Sequence, residues 1–311
     1  MYTSTHTSDR STASRTNEET EHYRQSVEKA ADLIADAEHI VLGIGSGLSA
    51  AGGLNYADPE LVRTWYPEYY SLGFRSIVEL QSAYWYIGQG DLQKYWGFWA
   101  QHIYHVRYEA SATEPYLDLR ELMADKEHFI ITTNCDSQIE KAGFSKDRIF
   151  AMQGNYCYFQ CSRPCNDELF YNEQMINTMV ENMDSPFEIR EEDIPRCPHC
   201  GALLMPNLRC DGRFVEKPHL VNASAYERFI NDHEGPLLLL EMGIGYNTPV
   251  IIRYPFERLT LYRDNVTLIR INLDCADVPK NIERKSLSIE DDLRKVLHDL
   301  RTERERTPRI S

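Results

Sequence analysis

Residues 39–53 read HIVLGIGSGLSAAGG, an apolar run that passes directly into a glycine-rich loop. The run His39–Ile44 has the length and continuous hydrophobicity of a buried parallel strand. Gly43, Gly45 and Gly47 mark its end, and a second helix is predicted to begin after Gly47. A strand, a glycine loop and a helix in this order let the backbone approach a pyrophosphate. A tight structural turn would need the same glycines, so the loop alone leaves both interpretations open.

Strands and helices alternate through much of the remaining chain. Further strands are predicted at Phe129–Thr132, Leu237–Leu240 and Val266–Ile271, and helices at Tyr23–Ala37, Leu117–Ala124, Thr248–Arg253 and Glu290–Arg301. This alternation implies a parallel sheet covered by helices on both faces. The predicted fold class is therefore α/β, with a doubly wound parallel sheet.

Two irregular blocks interrupt this rhythm and define the predicted domain organisation. Residues 1–22 are poor in apolar side chains and are predicted to be a disordered tail, and residues 23–311 form one domain. The α/β core is assigned to residues 23–55, 113–154 and 221–302. Residues 56–112, rich in Trp and Tyr at helical spacing, are predicted to be a helical insertion, with a minority of their rings lining a substrate groove. Residues 155–220 hold most of the cysteines and form a second insertion.

The charge and hydropathy of the chain exclude several classes of partner. A formal net charge of −15 argues against a nucleic-acid backbone or an anionic membrane. The longest apolar run, Pro236–Leu240, is far shorter than the roughly 20 residues of a membrane helix. The polar, Ser/Thr-rich start has no hydrophobic centre of the kind found in signal peptides. We therefore expect a cytoplasmic protein whose eight cysteines are metal ligands or free thiols.

Four of the cysteines have the spacing of a structural zinc site. Cys161 and Cys165 are followed by Cys197 and Cys200 in the knuckle CPHCG. His199 is an alternative ligand, and reduced, metal-free cysteines are the alternative to a metal site. Four thiolates leave no open coordination position, which argues against a catalytic zinc. Cys157 and Cys210 are not expected to be ligands.

Two polar turns carry the candidate chemistry. The strand ending at Thr132 continues as TNCD, and the stretch MQGN follows at 152–155. A polar turn after a strand is commonly a helix cap, a role that Asn134 or Asp136 is able to fill.

Together the glycine loop at 43–52, TTNCD at 132–136 and QG at 153–154 resemble the motifs of sirtuins, which cleave NAD at the nicotinamide–ribose bond. The resemblance runs from about residue 25 to residue 300 and implies a Rossmann-like core with a helical insertion and a zinc module. It is strongest to the class M, macrodomain-linked sirtuins, at GSGLS (45–49), TTN (132–134), QG (153–154), YFQC (158–161) and PRCPHCG (195–201).

The resemblance places Asn134 and Asp136 beside nicotinamide and its ribose. Breaking the glycosidic bond builds positive charge on the ribose, which a carboxylate and an amide carbonyl stabilise. A deacylating sirtuin has a histidine base where this chain has Gln153. An amide orients a hydroxyl or a nucleophile but does not take its proton, so deacylation is not expected.

The resemblance also assigns the cofactor contacts and shows where this chain departs from the family. The implied contacts are Gly43, Gly45, Ser46, Gly47, Ser49, Gly243 and Asn272, besides Asn134, Asp136 and Gln153. Sirtuins usually continue with Gly-Ile-Pro-Asp-Phe-Arg, but residues 53–58 read GLNYAD, so the Phe and Arg that close over the ribose are missing. The Ser expected after Gly243 is also absent. Arg209 is a candidate for contacting an acidic acceptor.

The function implied by the resemblance is NAD-dependent protein mono-ADP-ribosyltransferase. The implied acceptor is a lipoylated glycine-cleavage-H-like carrier protein, and a macrodomain hydrolase is a second implied partner. Two alternatives stay open, an NAD hydrolase and a catalytically weak sensor of NAD or ADP-ribose. The missing lid residues favour the sensor.

Overall fold

A computed structural model describes residues 16–88, 90–232 and 234–306. The strands are β1 His39–Ile44, β2 Glu127–Thr132, β3 Ile149–Ala151, β4 Gly154–Cys161, β5 Phe170–Tyr171, β6 Leu204–Leu208, β7 Leu237–Met242, β8 Val266–Asn272 and β9 Ser286–Glu290. The α-helices are α1 Asn17–Asp36, α2 Ser46–Ala51, α3 Pro59–Trp65, α4 Pro67–Ser71, α5 Ile77–Ala83, α6 Leu92–Ile103, α7 Glu114–Leu122, α8 Gln138–Lys141, α9 Glu173–Glu181, α10 Ala223–Asn231, α11 Arg253–Tyr262 and α12 Leu293–Arg306. A π-helical segment, Tyr104–Glu109, continues α6, and 3-10 turns lie at Lys146–Arg148, Glu191–Asp193, His219–Asn222 and Glu283–Lys285.

The main sheet has the strand order β3-β2-β1-β7-β8-β9, and all of its strands are parallel. In register, Ile44 of β1 pairs with Thr132 of β2 and with Met242 of β7. The three strands therefore end at the same edge, where ligands bind in open α/β sheets. The predicted α/β class and parallel sheet are confirmed.

Each face of this sheet is covered by helices. Ile40 and Leu42 of β1 pack with α1, α7 and α12 on one face, whereas Val41 packs with α10 and α11 on the other. Because both faces are buried, Ile40–Ile44 of β1 and Leu237–Leu240 of β7 are continuously apolar instead of alternating with polar residues. This burial explains why the residues of β1 that precede the glycine loop are apolar.

The two insertions share one hydrophobic cluster and so form a single second lobe. The ring of Trp96 on α6 lies edge-on to that of Phe159 on β4, with 4.9 Å between centroids. The antiparallel sheet of this lobe has the order β5-β4-β6. Residues 56–112 and 155–220 were predicted as separate insertions, but aromatic packing makes them one unit.

Several predicted boundaries were wrong. Helix α1 begins at Asn17, because Thr16 and Glu19 form a reciprocal capping box that needs no apolar side chains. Residues 17–22 are thus helical, and the rest of the predicted tail, residues 1–15, lies outside the described residues. The helix predicted at Thr248–Arg253 is instead a turn, and α11 begins at Arg253. Pro249 disfavours helix in the residue before it and lacks an N–H donor.

The edge strands β3 and β9 were not predicted. β9 ends at Glu290, the first residue of the predicted helix, and α12 begins only at Leu293. β3 is apolar but only three residues long, and β9 is mixed in polarity, so neither has the longer apolar run that identified the central strands. None of the helices within the described ranges is both long and apolar enough to cross a membrane.

Candidate active site and cysteine cluster

A cavity of about 440 Å³ opens at the carboxyl edge of β1 and β2. This volume lies within the range of small-molecule sites. Of the predicted site residues, Ser46, Gly47, Ser49, Asn134 and Asp136 line the cavity. The turns after the two strands therefore meet at one site, as their sequence motifs implied.

The side-chain amide of Asn134 is held in one orientation. Its Nδ2 donates to the carbonyl oxygen of Gly45 over 2.9 Å, and it lies 3.1 Å from Ser49 Oγ and 3.0 Å from the Tyr116 hydroxyl. A carbonyl only accepts, so the atom that faces Gly45 is the amide nitrogen. The amide oxygen of Asn134 points away from these partners.

A chain of hydrogen bonds connects Asn134 to Asp136. Ser49 Oγ donates to Asp136 Oδ2 over 2.5 Å and lies 2.8 Å from the Tyr116 hydroxyl. Since Ser49 has one proton and gives it to the carboxylate, Tyr116 donates to Ser49 and accepts from Asn134. Every proton in this chain has an assigned acceptor, so the carboxylate and the amide are positioned together.

Asp136 is buried, and its surroundings shift the pKa of its carboxyl in opposing directions. Desolvation raises the pKa of its carboxyl above the ordinary value. The Ser49 hydroxyl, the Gln138 backbone N–H at 3.0 Å and the charge of Lys141 oppose this shift. Burial is the larger effect, so the pKa of the Asp136 carboxyl stays above its ordinary value. The bond from Gln138 also ties Asp136 to the first residue of α8, although the N-cap position itself is Ser137.

The glycines pack two loops against each other. Gly47 N–H donates to the Gly243 carbonyl over 3.1 Å, and a Cβ on Gly47 would lie 2.6 Å from Gly243 Cα. Gly243 itself has φ of +65°, where side chains are disfavoured. Gly45 packs against the same loop, and Asn272 Nδ2 donates to the Ile244 carbonyl over 2.9 Å. These contacts hold the loop that follows β1, which contributes Ser46, Gly47 and Ser49 to the cavity lining.

Gly43 is not brought to the cavity. It lies within β1, and a Cβ there would come within 2.7 Å of Ile252 and Phe256. Its small size is needed for packing between the strand and the segment at the start of α11. Gly45, Gly243 and Asn272 are likewise not among the residues that line the cavity.

Gln153 lies in the turn between β3 and β4, beside the cavity but not in its lining. Its backbone carbonyl accepts from Cys135 Sγ at 3.5 Å and from the Arg209 N–H at 3.0 Å. Arg209 also donates from Nε to the Met152 carbonyl and from Nη2 to Glu216. The Arg209 guanidinium is thus occupied in holding the turn, not directed toward an acceptor as its sequence position suggested.

The four predicted cysteines form one cluster in the second lobe. Their sulfur atoms lie within 4.8 Å of one another. The sulfurs of Cys161 and Cys200 are 3.6 Å apart, and those of Cys165 and Cys197 are 3.7 Å apart. A tetrahedral zinc with Zn–S bonds of about 2.3 Å places its sulfurs about 3.8 Å apart, so the donor set fits zinc.

The alternative ligand His199 is not part of this cluster. Its Nε2 contacts the carboxylate of Glu168 over 2.5 Å. Cys157 and Cys210, which were not expected to be ligands, also lie outside the cluster.

The fold agrees with the comparisons to known proteins. A protein ADP-ribosyltransferase from Staphylococcus aureus is 30% identical over 266 residues, which cover 84% of this chain and 82% of that protein. A solved structure of a Sir2 homolog–NAD complex aligns with a TM-score of 0.57 at 20% identity, over 90% of this chain and 94% of that one. The chain belongs to the sirtuin family.

A second relative of this sirtuin has a longer chain. A probable bifunctional ADP-ribose hydrolase/ADP-ribosyltransferase from Fusarium oxysporum is 26% identical over 273 residues, and the match spans 45% of that protein. No family model matches the chain.

Several residues of the sirtuin site were missed by the sequence analysis. Tyr56, Tyr156 and Asn247 line the cavity, and Tyr116 lies behind it in the hydrogen-bonded chain. Tyr116 lies just before the predicted helix Leu117–Ala124 and within the observed helix α7, and its sequence position gave no sign of a polar role. Two signals for Tyr56 were available: the replacement of the usual lid sequence by GLNYAD, and the prediction that a minority of the rings in residues 56–112 line a groove.

Proposed function

We infer that this sirtuin is a protein ADP-ribosyltransferase that binds NAD in the 440 Å³ cavity, releases nicotinamide and transfers ADP-ribose to a protein side chain. The observation that carries the inference is the joint positioning of Asn134 and Asp136 at one cavity, in a chain with Gln153 where a deacylase has its base. The bond-breaking groups are present and the deacylation base is not.

NAD supplies a glycosidic bond whose cleavage leaves positive charge on the ribose. The Asp136 carboxylate, which accepts hydrogen bonds from Ser49 and the Gln138 N–H, stabilises that charge. Asn134 adds the negative end of its amide dipole, because its nitrogen is committed to Gly45, Ser49 and Tyr116. Both groups are oriented before the reaction, so they need no reorganisation as charge develops.

Gln153 orients the acceptor or a ribose hydroxyl in this proposal. Its amide donates and accepts hydrogen bonds without titrating near neutral pH. The proton of the incoming nucleophile therefore leaves to solvent or to the acceptor's own groups. Transfer of ADP-ribose needs no base at the ribose, which is consistent with glutamine at this position.

The cysteine cluster has a structural role in the same proposal. Zinc would be held by Cys161, Cys165, Cys197 and Cys200, and it would cross-link the end of β4 to the loop before β6. Since β4 begins directly after Gln153, the cross-link stabilises the lobe that carries the Gln153 turn.

The specific protein partners are proposed from the resemblance to class M sirtuins. We propose a lipoylated glycine-cleavage-H-like carrier protein as the acceptor and a macrodomain hydrolase as a second partner. Support for the second partner comes from the Fusarium relative, which is described as a hydrolase and transferase in one chain.

The test is incubation of the purified protein with radiolabelled NAD, alone and with a lipoylated carrier protein. We expect label on the carrier, lost by about 100-fold or more in Asn134→Ala. Asn182→Ala is the matched control, because Asn182 contacts Asp193 in the second lobe and not the cavity.

The other outcomes identify the alternatives. Free ADP-ribose without labelled protein indicates a hydrolase, and NAD binding without nicotinamide release indicates a sensor. Full labelling by Asn134→Ala would contradict the proposed mechanism.

A further inference from the structure

One wall of the cavity is formed by two tyrosines that connect to a buried histidine. Tyr56 and Tyr156 both line the cavity, beside Asp136. The Tyr156 hydroxyl lies 3.3 Å from His102 Nε2 and accepts from Gln81 Nε2 over 3.0 Å. The rings of Tyr56 and Tyr156 each meet the His102 ring edge-on, with 5.2 Å between centroids. His102 has no solvent exposure and is used by no step of the proposed mechanism.

The partners of His102 fix its tautomer. Burial lowers the pKa of its imidazole to about 3, so the ring is neutral and has one N–H. Gln81 Nε2 lies 3.3 Å from His102 Nε2, and an amide nitrogen only donates. His102 Nε2 is therefore the acceptor, and Nδ1–H donates to the Tyr66 hydroxyl over 3.0 Å.

This tautomer orients the Tyr156 hydroxyl. Its proton points to His102 Nε2, and one of its lone pairs accepts from Gln81. The remaining lone pair is available to a donor on the cavity side. The Tyr56 ring packs against the same His102 ring as Tyr156, which makes the Tyr56 hydroxyl the candidate donor.

Tyr56 lies in the segment that replaces the usual lid. The chain reads GLNYAD at 53–58 instead of a sequence ending in Phe-Arg. The Tyr56 carbonyl accepts from the Ile77 N–H over 2.9 Å, which attaches this segment to the start of α5. Tyr56 lines the same cavity as Asn134 and Asp136, so its ring lies near the proposed bond-breaking groups.

We propose that Tyr56 replaces the missing lid and sets the partition of ADP-ribose between a protein acceptor and water. Its ring covers the reactive end of the cavity and excludes water. Tyr156 is a positioning residue, oriented by His102 and Gln81, which holds the Tyr56 hydroxyl. This inference rests on the proposed transferase function.

The step that Tyr56 controls is a group transfer. The bond between ribose C1′ and the nicotinamide nitrogen breaks, and its electron pair leaves with neutral nicotinamide. The electron-deficient C1′ then accepts a lone pair from the acceptor nucleophile, which loses one proton. Water that reaches C1′ first forms free ADP-ribose and also releases one proton. Excluding water from the cavity therefore favours transfer.

The experiment measures nicotinamide release by the full chain with saturating NAD and no protein acceptor, so water is the only nucleophile. We expect Tyr56→Ala to raise this release about fivefold or more over wild type, because the ring is lost. Tyr56→Phe keeps the ring but loses the hydroxyl that Tyr156 holds, so it falls between wild type and Tyr56→Ala. Tyr156→Phe loses the other hydroxyl of the same contact and is expected in the same range.

Tyr171→Phe is the matched control, because it removes an exposed tyrosine hydroxyl that donates to Glu173 in the second lobe over 2.7 Å. It should not change hydrolysis. A variant that merely loosens the fold loses activity, so a gain of hydrolysis is a specific readout.

Two results would overturn the inference. If wild type releases nicotinamide and Tyr56→Ala releases it at the same or a lower rate, the lid role is rejected. The proposed transferase function is not affected by that result. Release by neither wild type nor any variant rejects the lid role. The transferase is rejected separately, if wild type also fails to label the carrier protein despite an NAD-dependent rise in Tm.

Discussion

The backbone N–H of Arg209 donates to the carbonyl oxygen of Gln153 over 3.0 Å. The Arg209 guanidinium donates to the neighbouring Met152 carbonyl over 2.9 Å and lies over the Phe214 ring at 4.4 Å. Gly154 follows with φ of +94°, and a Cβ there would lie 2.0 Å from the Asn207 carbonyl. The turn that presents Gln153 is therefore attached to the strand β6 of the second lobe by backbone, side chain and close packing.

We predict that Arg209→Ala lowers the rate of ADP-ribose transfer roughly tenfold, because a displacement of about 1 Å at an orienting residue is enough to cost that much. NAD binding should change little, since Arg209 does not line the cavity. The measurement is kcat and KM for nicotinamide release in the presence of the acceptor.

Glu216→Gln is the control for Arg209. It keeps an oxygen that accepts from Arg209 Nη2 and leaves the contact with Met152 in place. Wild-type kinetics in Arg209→Ala would show that the turn holds Gln153 without the guanidinium.

The cysteine cluster gives a prediction about metal content. The purified protein should contain one zinc per chain, because four thiolates at tetrahedral separations bind zinc tightly. Cys197→Ala should lose the metal and lower Tm by roughly 10 °C, since metal binding and folding of the lobe are coupled. Elemental analysis by mass spectrometry and thermal unfolding provide the measurements.

Two control variants make the zinc prediction specific. Cys210→Ala and His199→Ala remove groups outside the cluster and should keep the full metal content. Loss of zinc from His199→Ala would show that the imidazole replaces one of the thiolates.

The central strands and the cysteine ligands could be predicted from the sequence because each has a local signal. A parallel strand buried on both faces is an uninterrupted apolar run, as at His39–Ile44, which matches β1 residue for residue. The zinc knuckle is likewise recognised by spacing alone. Edge strands such as β9 have no such signal, because only part of their surface is buried.

The hydrogen-bonded chain behind the cavity could not be predicted, because its members are distant in sequence. Ser49, Tyr116 and Asp136 meet only when β1 and β2 pair in register and α7 packs beside them. The same reason applies to His102 and Tyr156, which come from different insertions. Glycine motifs were misleading in one respect, since Gly43 serves packing and not the cavity.

We predict that Tyr116→Phe lowers kcat about three- to tenfold with a smaller effect on KM. The lost hydroxyl donates to Ser49 and accepts from Asn134, so its removal loosens both groups without emptying the cavity. One hydrogen bond is worth about 1 kcal/mol, which corresponds to a factor of about five. Steady-state kinetics of nicotinamide release, together with Tm, measure the two effects.

Tyr23→Phe is the matched control for Tyr116. It removes a tyrosine hydroxyl that donates to Asp299 over 2.7 Å on the same face of the sheet but away from the cavity. A loss of kcat equal in both variants would assign the effect to general destabilisation.

The last prediction concerns the pH dependence of stability. The pKa of His102 is about 3 in the folded protein and about 6.5 in an unfolded chain. Below pH 6.5 the unfolded chain therefore binds a proton that the folded protein does not. The stability that this group contributes is fully present above pH 6.5 and is lost as the pH falls toward 3. Between pH 7 and pH 5 the free energy of unfolding should decrease by about 2 kcal/mol from His102 alone.

Urea unfolding of wild type and His102→Gln at pH 7 and pH 5 isolates this contribution. Glutamine does not titrate, so the variant should lose about 2 kcal/mol less than wild type over this interval. His22→Gln, a substitution of an exposed histidine on α1, should keep the wild-type dependence on pH. Equal pH dependence in wild type and His102→Gln would show that His102 takes up its proton without unfolding, and that the histidine behind Tyr156 is not held neutral by burial.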